Sequence, residues 1–187
     1  MKSKGLSWAV CVIAVLALAA VTIGALADPR TPTHFSGVIN DYTPVVGSVG
    51  PWEVRGPWTL TLDGDSGKAD FSAAVTMELS DFSLSGSNIS ASARMQHTHH
   101  IAVDGGTATA ITGGFEVTGP LMLTKDGGPA PASLQGSTLV IDVTGGTLVE
   151  FSNITLKFEN GAANHFGSQP IHGVVRKADR PSEGGER

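Results

Sequence analysis

Three histidines in one short stretch of the chain, His97, His99 and His100, offer its most distinctive chemistry. Side chains on a β-strand alternate between the two faces of the sheet. His97 and His99 should therefore point to one side and His100 to the other. The side shared by His97 and His99 also carries apolar residues, namely Met95, Ile101 and Val103. Because a polar group on a buried apolar face needs a partner, we expect His97 and His99 to bind a ligand or to be hydrogen-bonded.

The spacing of His97 and His99 suits a shared metal ion. Residues i and i+2 of a strand have Cα atoms roughly 6.5–7 Å apart, which lets both imidazoles reach one ion. Imidazole nitrogen is a common ligand for zinc, copper and iron. At least one further ligand is needed, and carboxylates or other histidines can supply it. The predicted metal ligands are His97, His99, His165 and His172; the predicted ligand-binding residues are His97, His99, His165 and Glu150; His34, Asp104 and Glu116 are weaker options.

Two other roles are open for these histidines. Histidine is often partly buried and satisfied by a carbonyl or hydroxyl group, which would make the protein a structural or interaction module. An imidazole or a glutamate in an apolar cavity can also act as an acid or base without a metal. A barrel enzyme of isomerase or cyclase type is the hypothesis that this second role supports.

The N-terminal segment has the layout of a secretory signal peptide. Lys2 and Lys4 precede a nearly unbroken apolar run from Trp8 to Ile23, and Ala25-Leu26-Ala27 supplies small residues for cleavage. We predict that residues 1–27 are removed and that the protein is secreted or periplasmic. The alternative is an uncleaved membrane anchor, since Trp8–Ala27 has about the 20 residues that span a bilayer.

The chain that remains after this cleavage is acidic and has no cysteine. Loss of Lys2 and Lys4 leaves 10 basic against 17 acidic residues, a net charge of −7, and the single Cys11 lies in the apolar run. An acidic protein is poorly suited to nucleic-acid phosphates or to anionic lipid. We therefore expect the partner to be a small ligand or a metal ion. We expect no binding to nucleic acid and, once the signal peptide is removed, no association with a membrane.

Almost the whole chain after Asp28 has the pattern of β-strands. Short runs rich in Val, Ile, Thr, Phe and Trp alternate with glycine-containing turns, which is typical of an all-β domain. Lys68–Leu79 shows the clearest alternation and places Phe71, Val75 and Met77 in the core, with Trp58 from the preceding strand. A turn is expected at Asp104-Gly105-Gly106 and a loop at 80–92, and almost nothing in this part of the chain is expected to be helical.

The predicted fold is a single antiparallel β-barrel of about eight strands, with a β-sandwich as the alternative. Similar segments at His34–Ile39 and Ile171–Val175 could pair and close the barrel. The barrel domain is expected to span residues 28–176, and the charged, Gly- and Ser-containing tail 177–187 to be disordered. Together, the patterns favour an exported barrel that holds a small ligand or a transition-metal ion through inward-facing histidines.

Overall fold

Strands dominate the structure, a computed structural model that describes residues 33–44, 51–79, 82–85, 88–91, 96–145 and 152–179. The strands in these ranges are β1 (His34–Tyr42), β2 (Trp52–Asp63), β3 (Lys68–Leu79), β4 (Phe82–Ser85), β5 (Asn88–Ala91), β6 (Gln96–Ile111), β7 (Gly114–Pro120), β8 (Met122–Lys125), β9 (Gly128–Pro129), β10 (Thr138–Thr144), β11 (Asn153–Phe158) and β12 (Ile171–Asp179). One short α-helix, α1 (Ala163–Phe166), follows a 3₁₀ turn at Asn160–Ala162, and a second 3₁₀ turn covers Ala132–Leu134.

Eight of these strands close into an antiparallel barrel, which confirms the predicted fold. Their order is β3-β2-β1-β12-β11-β10-β7-β6, and β6 pairs back with β3. The first and last strands are neighbours: β1 pairs with β12, with Val38 opposite Val174. Closure leaves these eight strands without an open sheet edge, which is how barrels avoid edge-to-edge aggregation.

Two pairs of short strands lie outside the closed barrel. β8 pairs with β6 and then with β9, and β4 pairs with β5 in a separate two-stranded sheet. The prediction of an unbroken loop at 80–92 was therefore wrong, because the segment contains the β4–β5 hairpin. The prediction that almost nothing is helical is confirmed, since α1, the one short α-helix in the described residues, follows β11 through the 3₁₀ turn.

β6 is longer than the sequence pattern predicts, because Asp104-Gly105-Gly106 is a bulge and not a turn. Gly105 adopts φ +60, a conformation that glycine reaches without steric cost. The register between β3 and β6 shifts by one residue at this point, and the Asp70 carboxylate accepts a 2.8 Å hydrogen bond from the Gly105 N–H. The extra residue bends the strand. β6 therefore pairs with β3 along its first part and with β7 along its last part.

The interior of the barrel is a continuous apolar core. The inward-facing residues of β3 alternate as predicted and are buried from Ala69 to Met77. Large side chains from the other strands fill the space between them, including Trp58, Phe35, Phe115, Leu139 and Ile141. Burial of each such side chain contributes roughly 1.5–3 kcal/mol relative to exposure. The buried histidines His97 and His99 lie at an end of this core, where β6 begins.

One end, here named the histidine end, is formed where β2 begins at Trp52, β6 begins at Gln96 and β11 finishes at Phe158. The opposite end holds Thr144 and Asn153, which pair at the limits of β10 and β11.

β12 continues to Asp179, three residues beyond the predicted domain boundary at Arg176, and 180–187 lie outside the described residues. The predicted signal peptide also lies outside them. Among the described residues, no helix has the length and apolar character needed to cross a bilayer.

Candidate metal centre

The first two members of the site come from β6, which places them as the strand alternation predicts. His97 and His99 face inward and are 9% and 2% exposed. Gln96, Thr98 and His100 are exposed on the outer face. There His100 Nε2 lies 3.0 Å from the Ser72 hydroxyl. His100 is therefore separated from His97 and His99 by the sheet itself.

The third member, His165, comes from α1. The helix is fixed by Phe166, which is fully buried and stacks on Phe158 with ring centroids 4.0 Å apart. The chain can turn into this position because Gly161 approaches the Ser133 carbonyl so closely that a Cβ would lie 1.9 Å from its oxygen. Gly167 then leaves the helix with φ +92. These constraints point His165 at the two histidines of β6.

The three side chains His97, His99 and His165, here named the histidine cluster, converge through their Nε2 atoms. His165 Nε2 lies 3.2 Å from His97 Nε2 and 2.9 Å from His99 Nε2. One ligand atom from each of the three lies within 4.8 Å of the others. Ligands at the zinc–nitrogen distance of about 2.0–2.1 Å in a tetrahedral site stand about 3.4 Å apart. The 3.2 Å and 2.9 Å distances between Nε2 atoms are both shorter than that spacing, by about 0.2 and 0.5 Å.

Hydrogen-bond chemistry favours a cation at the centre of this cluster. The Thr124 carbonyl, which can only accept, lies 2.8 Å from His99 Nδ1, so Nδ1 carries a hydrogen and a neutral His99 presents a lone pair on Nε2. His165 Nε2 bears at most one hydrogen when neutral, yet it faces two other Nε2 atoms. One N–H makes one straight hydrogen bond. A metal ion would accept a lone pair from all three nitrogens.

Burial keeps the cluster in the neutral form that metal coordination requires. Desolvation lowers the pKa of His97 to about 4, with a further contribution from His99. Desolvation likewise lowers the pKa of His165 to about 4, and the charges of His99 and His97 add to this. The pKa of His99 is also lowered by burial, although its bond to the Thr124 carbonyl opposes the shift. At neutral pH all three imidazoles can therefore act as ligands.

The surroundings of the cluster hold its members in place. The Trp52 ring meets the His97 ring edge-on at 4.9 Å, and Phe166 contacts His99 at 5.2 Å. The β8–β9 turn is tied to β6, since Asp126 Oδ1 accepts a 2.8 Å hydrogen bond from the Thr98 N–H and the Asp126 N–H donates to the Thr98 carbonyl. This tie positions β8, whose Thr124 carbonyl orients His99. Such outer-sphere contacts are a regular feature of metal sites.

The structure does not bring the fourth predicted metal ligand, His172, into the cluster. Ile171 takes the inward position at this point of β12, so His172 faces outward, where its Nδ1 lies 2.7 Å from Asp41 Oδ2. His34 is likewise exposed and bonds to Thr61. The alternation of β12 and β1 explains both positions.

Asp104 and Glu116, two of the carboxylates considered as ligands, also stand apart from the cluster. Asp104 is exposed at the bulge of β6, and Glu116 faces outward because Phe115 and Val117 fill the inward positions of β7. Glu150 lies outside the described residues. The cluster is thus formed by imidazoles.

Sequence reasoning did not identify Thr124 or Trp52 as part of the site. A backbone carbonyl acts whatever its side chain, so residue type gives no signal for Thr124. A usable signal did exist for the hairpin that carries it, because Asp126-Gly127 is a typical two-residue β-turn. Both residues have positive φ, +49 and +76, as that turn requires.

No known protein family, curated protein or solved structure matches this chain. The description of this protein therefore depends on its own fold and on the geometry of its histidine cluster. It is an antiparallel barrel of eight strands with three histidines at one end that could hold a metal ion.

Proposed function

We propose that this protein is an exported β-barrel that binds a transition-metal ion through His97, His99 and His165. The observation that carries the proposal is the convergence of three neutral, largely buried imidazoles on one point. Export is supported by the N-terminal pattern of Lys2, Lys4 and the small residues Ala25-Leu26-Ala27. The interior of the barrel is dominated by buried apolar side chains, so the nitrogen donors of the site are concentrated at its histidine end.

The donor set narrows the choice among zinc, copper and iron. Three imidazole nitrogens without a thiolate suit borderline divalent ions. A site with three protein ligands is the pattern of zinc centres that keep a fourth position open. Copper(II) binds the same donors more tightly in general, so metal supply would decide the occupant. Zinc is the ion that we use to frame the test.

Metal analysis of protein purified without a histidine tag tests the proposal directly. We expect close to one zinc or copper ion per chain, and calorimetric titration of the metal-free protein should give the same stoichiometry. His97→Ala, His99→Ala and His165→Ala should each weaken binding by more than the roughly 10- to 100-fold lost with an outer-sphere partner. His100→Ala and His172→Ala are matched controls, because both side chains lie on the outer face.

Two results would overturn the proposal. One is the absence of stoichiometric binding of zinc, copper and iron in titrations at neutral pH. The other is equal loss of affinity in the cluster variants and in the outer-face controls, which would mean that metal binds through exposed histidines. Either result would leave the cluster as hydrogen-bonded structural histidines.

A further inference from the structure

The residue opposite His97 in the barrel wall is a methionine. In the antiparallel register of β3 and β6, Met77 pairs with His97, and Val75 pairs with His99. Met77 faces the interior and is 0% exposed, and His97 is buried on the same inner side. Directly opposite residues on one face of a sheet have Cβ atoms about 4.5–5.5 Å apart. Because methionine is long, unbranched and flexible, the register places the Met77 thioether within reach of an ion bound by His97.

Met77 also differs from its neighbours in carrying a donor atom for a metal. Val54, opposite Met77 on β2, and Val75, two residues before it, are buried hydrocarbon side chains. The Trp52 ring contacts the His97 ring, but an indole nitrogen only donates a hydrogen. Among these described neighbours on β2 and β3, the thioether sulfur is therefore the available fourth ligand.

A thioether changes which metal ion the site prefers. Three imidazole nitrogens alone suit borderline divalent ions, whereas thioether sulfur is a soft donor that selects copper(I). Zinc in proteins takes thiolate, imidazole and carboxylate ligands. A set of three imidazoles and the Met77 sulfur therefore favours copper(I) over zinc.

The charge of the donor set favours the same ion. Within the described residues, the group that could hold an ion consists of three histidines, without a carboxylate or a thiolate. Neutral donors leave an ion its whole charge, and the cost of moving an ion out of water rises with the square of that charge. Copper(I) has one positive charge, so burial beside His97 and His99 costs less for copper(I) than for a divalent ion.

We propose that Met77 is a fourth ligand of the metal centre and that the histidine cluster together with Met77 is a copper(I) site. The inference rests on the proposed metal function and names the ion that this function concerns. Copper(I) binds here as a Lewis acid that accepts lone pairs from three nitrogens and one sulfur, with no change in its oxidation state. Met77 accordingly contributes to the affinity for copper(I) and not to the affinity for zinc.

Competition against a chromophoric copper(I) chelator, under anaerobic and reducing conditions, measures this contribution. Met77→Leu keeps the size and apolar character of the side chain and removes the sulfur. It should weaken copper(I) binding by about tenfold or more, since even outer-sphere partners contribute this much, and should leave zinc affinity nearly unchanged. Met122→Leu is the matched control, because Met122 is 49% exposed, and it should keep both affinities.

X-ray absorption at the copper edge detects a sulfur ligand directly. Residues 28–187 contain no cysteine, so sulfur bound to copper can come only from Met77, Met95 or Met122. We expect a sulfur neighbour of copper in the unmodified protein and in Met122→Leu, and none in Met77→Leu.

The outcomes separate this inference from the proposed function. Failure of zinc, copper and iron to bind in a manner dependent on His97, His99 and His165 would overturn both. Binding through these histidines with equal copper(I) affinities in Met77→Leu and Met122→Leu would overturn the inference alone. So would a sulfur signal that survives Met77→Leu, and so would equal losses of zinc and copper(I) affinity in that variant, which would mean that Met77 only packs against the cluster.

Discussion

His99 is the most constrained of the three imidazoles, because both of its ring nitrogens are engaged. Nδ1 faces the Thr124 carbonyl at 2.8 Å and Nε2 faces His165 at 2.9 Å. The carbonyl fixes the tautomer, so the lone pair of Nε2 is aimed at the centre of the cluster. A single main-chain contact therefore decides which nitrogen can bind a metal ion.

The lowered pKa values of the cluster make the metal-free protein sensitive to mild acid. The folded-state pKa of His97 and of His165 is about 4, below the ordinary value of 6.5. The unfolded chain thus binds protons first, and stability that is fully present above about pH 6.5 is lost progressively as the pH falls toward 4. We expect urea unfolding in the presence of a chelator to show a midpoint that falls steadily from pH 7 to pH 4.5.

His165→Gln should flatten this pH dependence, since it removes one of the titrating groups. His100→Gln, on the outer face, should keep the slope of the unmodified protein. The folded-state pKa values of Asp41, Asp63 and Asp126 are lowered from 3.8, so these carboxylates stay ionised in this window. An unfolding midpoint that is the same at pH 7 and pH 4.5 would contradict the prediction.

At the scale of the strand, β3 allows a test of whether the alternation of its side chains determines which of them are buried in the core. Val75 is 2% exposed in the barrel interior, whereas its neighbour Ala74 is exposed on the outer face. Val75→Asp would bury a charge without a partner and should cost about 4 kcal/mol or more. Ala74→Asp should change stability by less than about 0.5 kcal/mol. Chemical denaturation measures both, and similar losses in the two variants would refute the assigned register.

The β8–β9 turn links local backbone geometry to the site. Asp126 adopts φ +49 and accepts a hydrogen bond from the Thr98 N–H. Asp126→Ala would lose that bond and leave alanine in a conformation that costs roughly 1–2 kcal/mol. Because Thr124 on the same hairpin orients His99, we expect zinc affinity to fall by about tenfold or more. Asp126→Asn, which tolerates this backbone conformation and can still accept the bond, should retain most of it. Unchanged calorimetric affinity in Asp126→Ala would show that the turn does not support the site.

The sequence predicts strands and faces far better than it predicts the meeting of distant segments. Two-residue alternation placed His97, His99 and His100 on the correct sides of β6, and it placed Val75 in the core. The bulge at Gly105 was missed because adjacent glycines serve turns and bulges equally well. His165 and His172 could not be told apart as ligands from residue type alone, since only the packing of α1 against Phe158 brings His165 to the cluster.

For the whole molecule, the first prediction concerns which residues remain in the mature protein. The positively charged start, the apolar run Trp8–Ile23 and the site Ala25-Leu26-Ala27 predict a mature protein that begins at Asp28. Intact-mass measurement of the exported protein should therefore give the mass of residues 28–187. A mass that includes residues 1–27 would instead support a membrane anchor.

Metal binding should stabilise the entire barrel, because its ligands come from segments far apart in the chain. His165 is 68 residues from His97 and 66 from His99, so one ion would tie α1 to β6 across β7, β10 and β11. A ligand that binds only the folded state at 100 times its Kd adds about 2.7 kcal/mol. For a domain of this size that corresponds to a rise in Tm of about 5–10 °C. Thermal unfolding with zinc should show this rise in the unmodified protein and in His172→Gln, and His165→Gln should abolish it. An equal rise in His165→Gln would place the stabilising ion outside the cluster.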